Sequence, residues 1–459
     1  MHSPHLERRF GLLHATALNM SNMVGIGPFI TIPLIIATMG GPQCMLGWLV
    51  GVFIAISDGM VWAELSSAMP GSGGTYVYLK RAFEKLRFGR AMPFLFVWQF
   101  ILSGPLEVAS GTIGISKYMN YFWKSMTPLQ GKCVAALTAL LATILLYRRI
   151  SFVARATVTL WVGMILTVAW VILSGIFSFS PSRAFDFPAN AFRADWSFFV
   201  GLGLAMRIAM YDYLGYYDVC YIGDEVKDPD RVIPRAIVLS VISVALIYAT
   251  MNLSIIGVIP WQKAVQSKYI ASDFMEQIYG TWAGAAVTVM ILWTAFASIF
   301  ALLLGYSRIP YAAALDGYFF RVFGKLHPTG HFPSVSVLVL GGITIAASFL
   351  KLDEVIAMLV TSRILIQFVG QIAAVMMLRR TEPGFPASFR MWLYPVPCVV
   401  ALVGWLYIFV MPLFVPEERV FVLPGCIGFT VAGFLVYLLW RKMVPRPDDD
   451  AAATARKVA

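Results

Sequence analysis

The stretch SNMVGIGPFITIP (21–33) interrupts an apolar run that extends from about residue 13 to 38. Gly25, Gly27 and Pro28 fall in the middle of that run. Glycine disfavours a helix by its backbone freedom, and proline removes a donor and clashes with the preceding turn. The pattern predicts an unwound segment followed by a half-helix that starts at Pro28. A half-helix N-terminus presents free N–H groups and the positive end of a dipole, so it suits a carboxylate. Close helix packing or a simple kink would leave the same residues, since Gly and Pro are common in membrane helices.

A second run with the same character lies at 201–237, GLGLAMRIAMYDYLGYYDVCYIGDEVKDPDRVIPRAI. It holds Arg207, Asp212, Asp218 and Gly215 in apolar surroundings. A charge at the bilayer centre costs at least ~2.5 kcal/mol on insertion scales, so each needs a partner or water. Asp212 and Gly215 near mid-run predict another broken helix that lines a cavity. Arg207 and Asp212 are five apart, so pairing within a regular helix is excluded. Arg207 reads as an outer-end residue that snorkels, and Asp218 as an inner-end one.

Composition supplies the solvent. Of 459 residues 59% are hydrophobic and 13% charged, and the mean hydropathy is +0.76. Soluble domains average about 45–50% apolar and about 25% charged residues, which excludes an ordinary soluble enzyme, a disordered chain and a nucleic-acid binder. Apolar runs fall near 13–38, 43–67, 93–122, 132–147, 152–178, 197–221, 235–259, 282–306, 334–350, 354–378, 393–415 and 420–440. A crossing helix needs about 20 apolar residues, so these read as twelve membrane spans. Continuous runs argue for helices over the alternating strands of a barrel. No soluble domain fits between them, and the polar tail from Pro445 is expected to be disordered.

The net charge of +11 is explained by its distribution. Lys80, Arg81, Lys85, Arg87 and Arg90, then Arg148, Arg149 and Arg155, then Lys227, Arg231 and Arg235 fall in alternate connecting segments. The intervening segments are sparser, with Lys117, Lys124 and Lys132 or Lys263 and Lys268. Positive charge marks cytoplasmic loops, so both termini are expected in the cytoplasm of a cell-membrane protein. Arg8–Arg9 before the first run then reads as a basic anchor rather than an export signal. The five cysteines are scattered and form no CxxC pair, which indicates neither a disulfide framework nor a zinc site.

The two breaks lie five spans apart. Interrupted spans at corresponding places in two halves point to a transporter built from inverted repeats. Spans 1–5 (about 10–178) and 6–10 (about 196–378) are the expected repeats. Spans 11 and 12 (about 393–440) are peripheral, and 441–459 forms the tail.

Four blocks carry a resemblance: NMVGIGPF (22–29), WAELSSAMPGSGGTYVYLKRAF (62–83), GDEVKDPDRVIPRAI (223–237) and SRIPYAAALDGYFFRVFGKLHP (307–328). In that order they resemble the amino acid–polyamine–organocation superfamily of secondary transporters, over roughly residues 10–440. The resemblance implies an all-α, leucine-transporter-type fold with a 5+5 inverted repeat and alternating access. It places Gly25, Ile26 and Gly27 at a substrate carboxylate. It places Tyr211, Asp212, Leu214 and Gly215 beside the amino group and side chain, with Tyr211 as an aromatic gate.

The chain departs from the family pattern in three ways. Ile26 stands where many members have serine. RATVTLWVGMILTVAW (155–170) has Met164 at about the position of the lysine in several proton-coupled relatives, so that route of coupling lacks its group. Asp212 and Glu107 are acidic where carriers of neutral amino acids usually are not. The third span, VWQFILSGPLEVASGTIGISKY (97–118), resembles plant and protozoan polyamine carriers, which also place a carboxylate there.

Three roles stand open for Glu107: a hydrogen-bonded or Arg-paired structural acid, a proton carrier, or a neutraliser of a substrate ammonium. Its pairing candidates are Arg363 and Arg207. Glu64 reads as an ion-pair partner for the basic loop Lys80–Arg90.

The leading function is a secondary carrier of amino acids or related amines, and a carrier of polyamines or cationic amino acids is the narrower alternative. An intramembrane aspartyl protease would pair Asp212 with Asp224, but about 18 Å of helix separates them. A channel would need a filter that the sequence does not show. No cofactor is indicated. Proton or sodium coupling stays open, with Ser298 and Ser307 as candidate sodium hydroxyls. The expected partners are a small-molecule substrate and the lipid bilayer, with no nucleic acid. The sequence specifies no partner subunit.

Overall fold

The first apolar run folds as two helices because its middle cannot continue one. A computed structural model of the chain describes residues 10–443 apart from 72, 87–88, 149 and 329–331. In it α1 (Leu12–Met23) stops where the Val24 N–H closes on Met20 O, and α2 (Gly27–Met39) restarts with Pro28 in its first turn. The two axes differ by 46°. The half-helix therefore begins one residue before the expected Pro28.

The remaining long helices are α3 (Met45–Ala68), α4 (Thr75–Phe83), α5 (Ala91–Met119), α6 (Pro128–Arg148), α7 (Ile150–Phe177), α8 (Trp196–Tyr213), α9 (Pro229–Val258), α10 (Ile270–Tyr279) and α11 (Thr281–Leu315). After them come α12 (Ser334–Ala347), α13 (Leu352–Arg363), α14 (Gly370–Thr381), α15 (Val396–Val410) and α16 (Val422–Met443). Short helical turns connect several of these. Among the described residues no strand forms beyond two isolated bridges, Phe10 with Val226 and Leu326 with Pro333. Each of the twelve apolar runs contains helix. Among the described residues, by length and composition, eight helices can cross a membrane, or nine if the bent α1–α2 pair is one span. The last helix continues to Met443, slightly past the expected boundary at 440. The basic anchor Arg8–Arg9 and the tail from Pro445 lie outside the described residues.

The second break follows α8. Tyr213 is its last residue, the Leu214 N–H reaches back to Met210 O and Tyr211 O, and the chain then passes through Gly215 at φ +112°. That φ is the left-handed region, where a side chain is strained. A tight 3-10 turn follows at Asp218–Glu225, and α9 starts at Pro229, a position where proline loses no helical bond.

Packing sorts the helices by depth. The helix pair α13–α14 forms the span Leu352–Thr381, whose apolar stretch is 83% buried, and α5 is buried to 78%. The corresponding stretches of Pro128–Tyr147 and Glu418–Met443 are only 28% buried. They expose Leu137, Leu140, Leu141, Leu435 and Leu439. Such apolar faces need a nonpolar solvent. The deep helix α5 packs against both α11 and α13, α1 packs against α9, and α2 against α8. The two breaks therefore meet at the centre of the bundle.

Candidate functional site

The broken ends are tied to each other by polar side chains. The Asn19 amide donates to Tyr216 O at 2.6 Å, and its oxygen accepts the Val219 N–H at 3.0 Å. One turn on, Asn22 donates to Asp218 Oδ2 at 2.7 Å. The Tyr248 hydroxyl of α9 lies 2.5 Å from Met23 O and 2.9 Å from Asp212 O. Those carbonyls lost their helical partners at the two breaks, so one hydroxyl serves both ends.

A small cavity of about 30 Å³ lies between the breaks. Its wall includes Asn22, Gly25, Ile26 and Gly27 from the first break, with Tyr211, Asp212 and Leu214 from the second. Glu107, Ser110 and Gly111 of α5 and Ser298 and Ile299 of α11 complete it. The space suits a couple of water molecules. Of the residues expected at the site, Gly215 alone is not in this wall. It is packed against the first break instead, where a Cβ would meet Asn22 Cβ at 3.0 Å and Met23 N at 3.1 Å.

Asp212 is the dominant feature of the wall. It is 2% exposed. Its Oδ2 accepts from the Thr31 hydroxyl of α2 at 2.5 Å, and its Oδ1 has no hydrogen-bond partner. A Cβ on Gly27 would sit 2.5 Å from that Oδ1. The carboxylate thus rests on the first turn of α2, where free N–H groups and the helix dipole favour negative charge. Tyr211 points to α5, its hydroxyl 2.7 Å from Ser110 Oγ. Ile26 fills space cleared by Gly114, where a Cβ would approach its Cδ1 to 2.8 Å.

Glu107 is not free. Arg363 Nη2 lies 2.7 Å from its Oε2, which also accepts from the Tyr306 hydroxyl at 2.7 Å. Arg363 is fully buried and also donates to Ser103 at 3.1 Å and to the Tyr217 hydroxyl at 3.0 Å. Its guanidinium lies over the Phe100 and Tyr306 rings, at 5.5 and 5.8 Å. Of the two pairing candidates for Glu107 the structure takes Arg363.

Three other expectations are corrected. Arg207 does not snorkel: it is 5% exposed and forms a two-pronged pair with Glu418, because α8 lies beside the turn that leads to α16. Asp218 is not an inner-end surface residue but 6% exposed beneath the breaks, because the chain leaves the helix at Tyr213 and turns inward. Glu64 pairs with Arg379 at 2.5 and 2.7 Å, not with the Lys80–Arg90 loop, and also accepts the Met391 N–H at 2.8 Å. The end of α14 brings Arg379 there; Lys80 instead pairs with Asp316.

Ser298 lies in the cavity wall near Gly25, whereas Ser307 is buried and donates to Leu304 O in its own helix at 2.7 Å. Met164 is buried. Among the described residues no cluster of three metal-ligating side chains forms. Asn19, Asn22, Ser110 and Tyr248 join the site without having been among the residues expected there. The two asparagines stood three apart just before the first break, which was a usable signal. Tyr248 carried none, since only the fold brings it to both breaks.

A profile of the family described as amino acid permease matches residues 10–438. An uncharacterized transporter of Mycobacterium tuberculosis is 28% identical over 74% of this chain and 73% of its own length. The human cystine/glutamate transporter is 24% identical over 95% of this chain and 86% of its own. The branched-chain amino acid permease BcaP of Bacillus subtilis is also 24% identical, over 95% and 91%.

Proposed function

The chain belongs to the amino acid–polyamine–organocation permease family, and from that premise we propose that it carries an amino acid or related amine by alternating access, with the substrate held between the two breaks. It is an integral membrane transporter rather than an enzyme. The observation that carries the site reading is the junction of both broken helices at one cavity whose wall holds an unpartnered carboxylate oxygen, Asp212 Oδ1. An unpaired acid in a buried wall calls for a cation. A substrate ammonium against Asp212, with its carboxylate on the N–H groups of α2, satisfies both partners.

The same arithmetic favours amines with a positive side chain, including polyamines, as the narrower substrate class. Glu107 is already neutralised by Arg363, so the cavity keeps one uncompensated acid, and a zwitterionic amino acid brings its own negative charge to it. In the proposed architecture twelve spans form two inverted repeats of five and a peripheral pair, with both termini cytoplasmic. The cavity is too small for such a substrate as it stands, so entry requires the helices to part, which is the motion alternating access supplies.

The test begins with thermal stabilisation of the purified protein by neutral, acidic and basic amino acids and by polyamines, since a ligand of the folded state raises its melting temperature. Uptake by Asp212→Asn is the second half. Loss of arginine or putrescine uptake at least tenfold greater than loss of leucine uptake is expected. Equal losses would reject charge recognition by Asp212.

A further inference from the structure

Beneath the cavity lies a second uncompensated carboxylate. Asp218 is buried, and its Oδ2 has Asn22 as donor while its Oδ1 has no partner. The groups that interact with it electrostatically come from four elements besides its own. They are Asn22 of α1, Glu107 of α5, Tyr306 of α11 and Arg363 of α13. Its own turn adds Tyr217, Cys220 and Tyr221. Arg363 is the sole cation of this set, and it is ion-paired with Glu107 through Nη2 while its Nε and Nη1 donate to Ser103 and Tyr217. With Glu107, Asp218 and Arg363 all charged, the buried set carries one net negative charge, and a buried charge without a partner costs several kcal/mol. One proton brings the set to neutrality. Glu107 has both a guanidinium and a tyrosine hydroxyl on its oxygen, so the bare oxygen of Asp218 is the place for that proton.

The position links this acid to the substrate. Asp218 is outside the cavity wall, but Asn22, its donor, is in it. A hydrogen bond to the charged carboxylate favours the charged form, and its withdrawal favours the protonated one. A substrate that draws the Asn22 side chain into the cavity takes that donor from Asp218. Resting on the carrier reading above, we propose that Asp218 is the coupling proton site of this transporter, taking up a proton as substrate engages Asn22 and releasing it when Asn22 returns. The proton is exchanged with water on either side, and no other bond is made or broken. By linkage, protonation and substrate binding then favour each other. This supplies a titratable group in a chain that has Met164 near the position of the fifth-span lysine.

The experiment uses the full chain in liposomes with the membrane potential clamped by potassium and valinomycin. Labelled arginine, putrescine and leucine are each measured in two modes, counterflow at equal pH and accumulation driven by a lumen one pH unit more alkaline. The wild type is expected to accumulate label several-fold over the equal-pH level. Asp218→Asn is expected to keep counterflow and to lose that accumulation. Retained accumulation in Asp218→Asn, or wild-type accumulation no greater with the gradient than at equal pH, overturns the proton site while leaving the carrier reading intact. Absence of wild-type counterflow with all three substrates overturns the carrier reading and the proton site with it. Should Asp218→Asn fail to fold, Asn22→Ala decides. Loss of the donor raises the proton affinity of Asp218, so the midpoint of the pH dependence of the remaining transport moves up by about one unit. An unmoved midpoint overturns the proposal.

Discussion

Arg363 and Glu107 show how a buried pair is held and what each half costs alone. The guanidinium has no exposure; it is ion-paired with Glu107 and donates to Ser103 and Tyr217. Removing one partner of such a pair strands the other in a low-dielectric site, at a cost of ~3–5 kcal/mol. Arg363→Met is therefore expected to lower the thermal midpoint sharply. Adding Glu107→Gln to it should recover part of the loss, as the stranded acid is then neutral. A double variant no more stable than Arg363→Met would show that the pair is not the reason Arg363 is needed. Asp212 belongs to the opposite case, an acid left with a free oxygen facing a cavity. What separates the two acids is whether a cation has been brought alongside.

At the scale of elements, the breaks depend on a few residues that no helix propensity describes. Gly215 combines φ +112° with contact to Asn22 and Met23, so alanine there is penalised twice, by the backbone region and by the missing space. Gly215→Ala is expected to cost ~1–3 kcal/mol in stability and to reduce transport. Near-normal stability and uptake would mean that the two breaks need not touch. Tyr248→Phe tests the shared tie. It strips a donor from two buried carbonyls, Met23 O and Asp212 O, for an expected loss of ~1–3 kcal/mol, read as a lower melting temperature. Hydrogen exchange should also rise at both breaks together. A rise at one alone would show that the hydroxyl serves only that end.

Over the whole molecule, Glu64 ties together segments far apart in the chain. This nearly unexposed acid joins α3 to α14 through Arg379 and anchors the chain at Met391. Arg379→Gln is expected to raise hydrogen exchange around 389–395 and to lower stability, because the Glu64 carboxylate keeps only one donor. Unchanged exchange there would show that the segment is held by other contacts. Orientation is tested separately. Tags at the two termini are expected to be accessible only from the cytoplasmic side. One tag reached from outside would require an odd number of crossings and would discard the proposed pairing of repeats.

Several properties were legible in the residues alone because they depend on local chemistry or bulk composition. An apolar fraction of 59% dictates helices that bury their own backbone bonds, and Gly25, Gly27 and Pro28 dictate where the first of them must break. Asp212 and Gly215 marked the second break for the same reason. The pairing of charges was not legible. Glu64 has Arg379 rather than its neighbours in the basic loop, Glu107 has Arg363, and Arg207 has Glu418. Each partner lies more than two hundred residues away, and only packing decides which of several cations arrives. Tyr248 at both breaks and Asp218 beneath them follow the same rule. A local pattern can predict that a helix breaks or a charge needs a partner, but the partner itself is chosen by the fold, since burial and proximity are properties of the assembled core and not of the neighbouring letters.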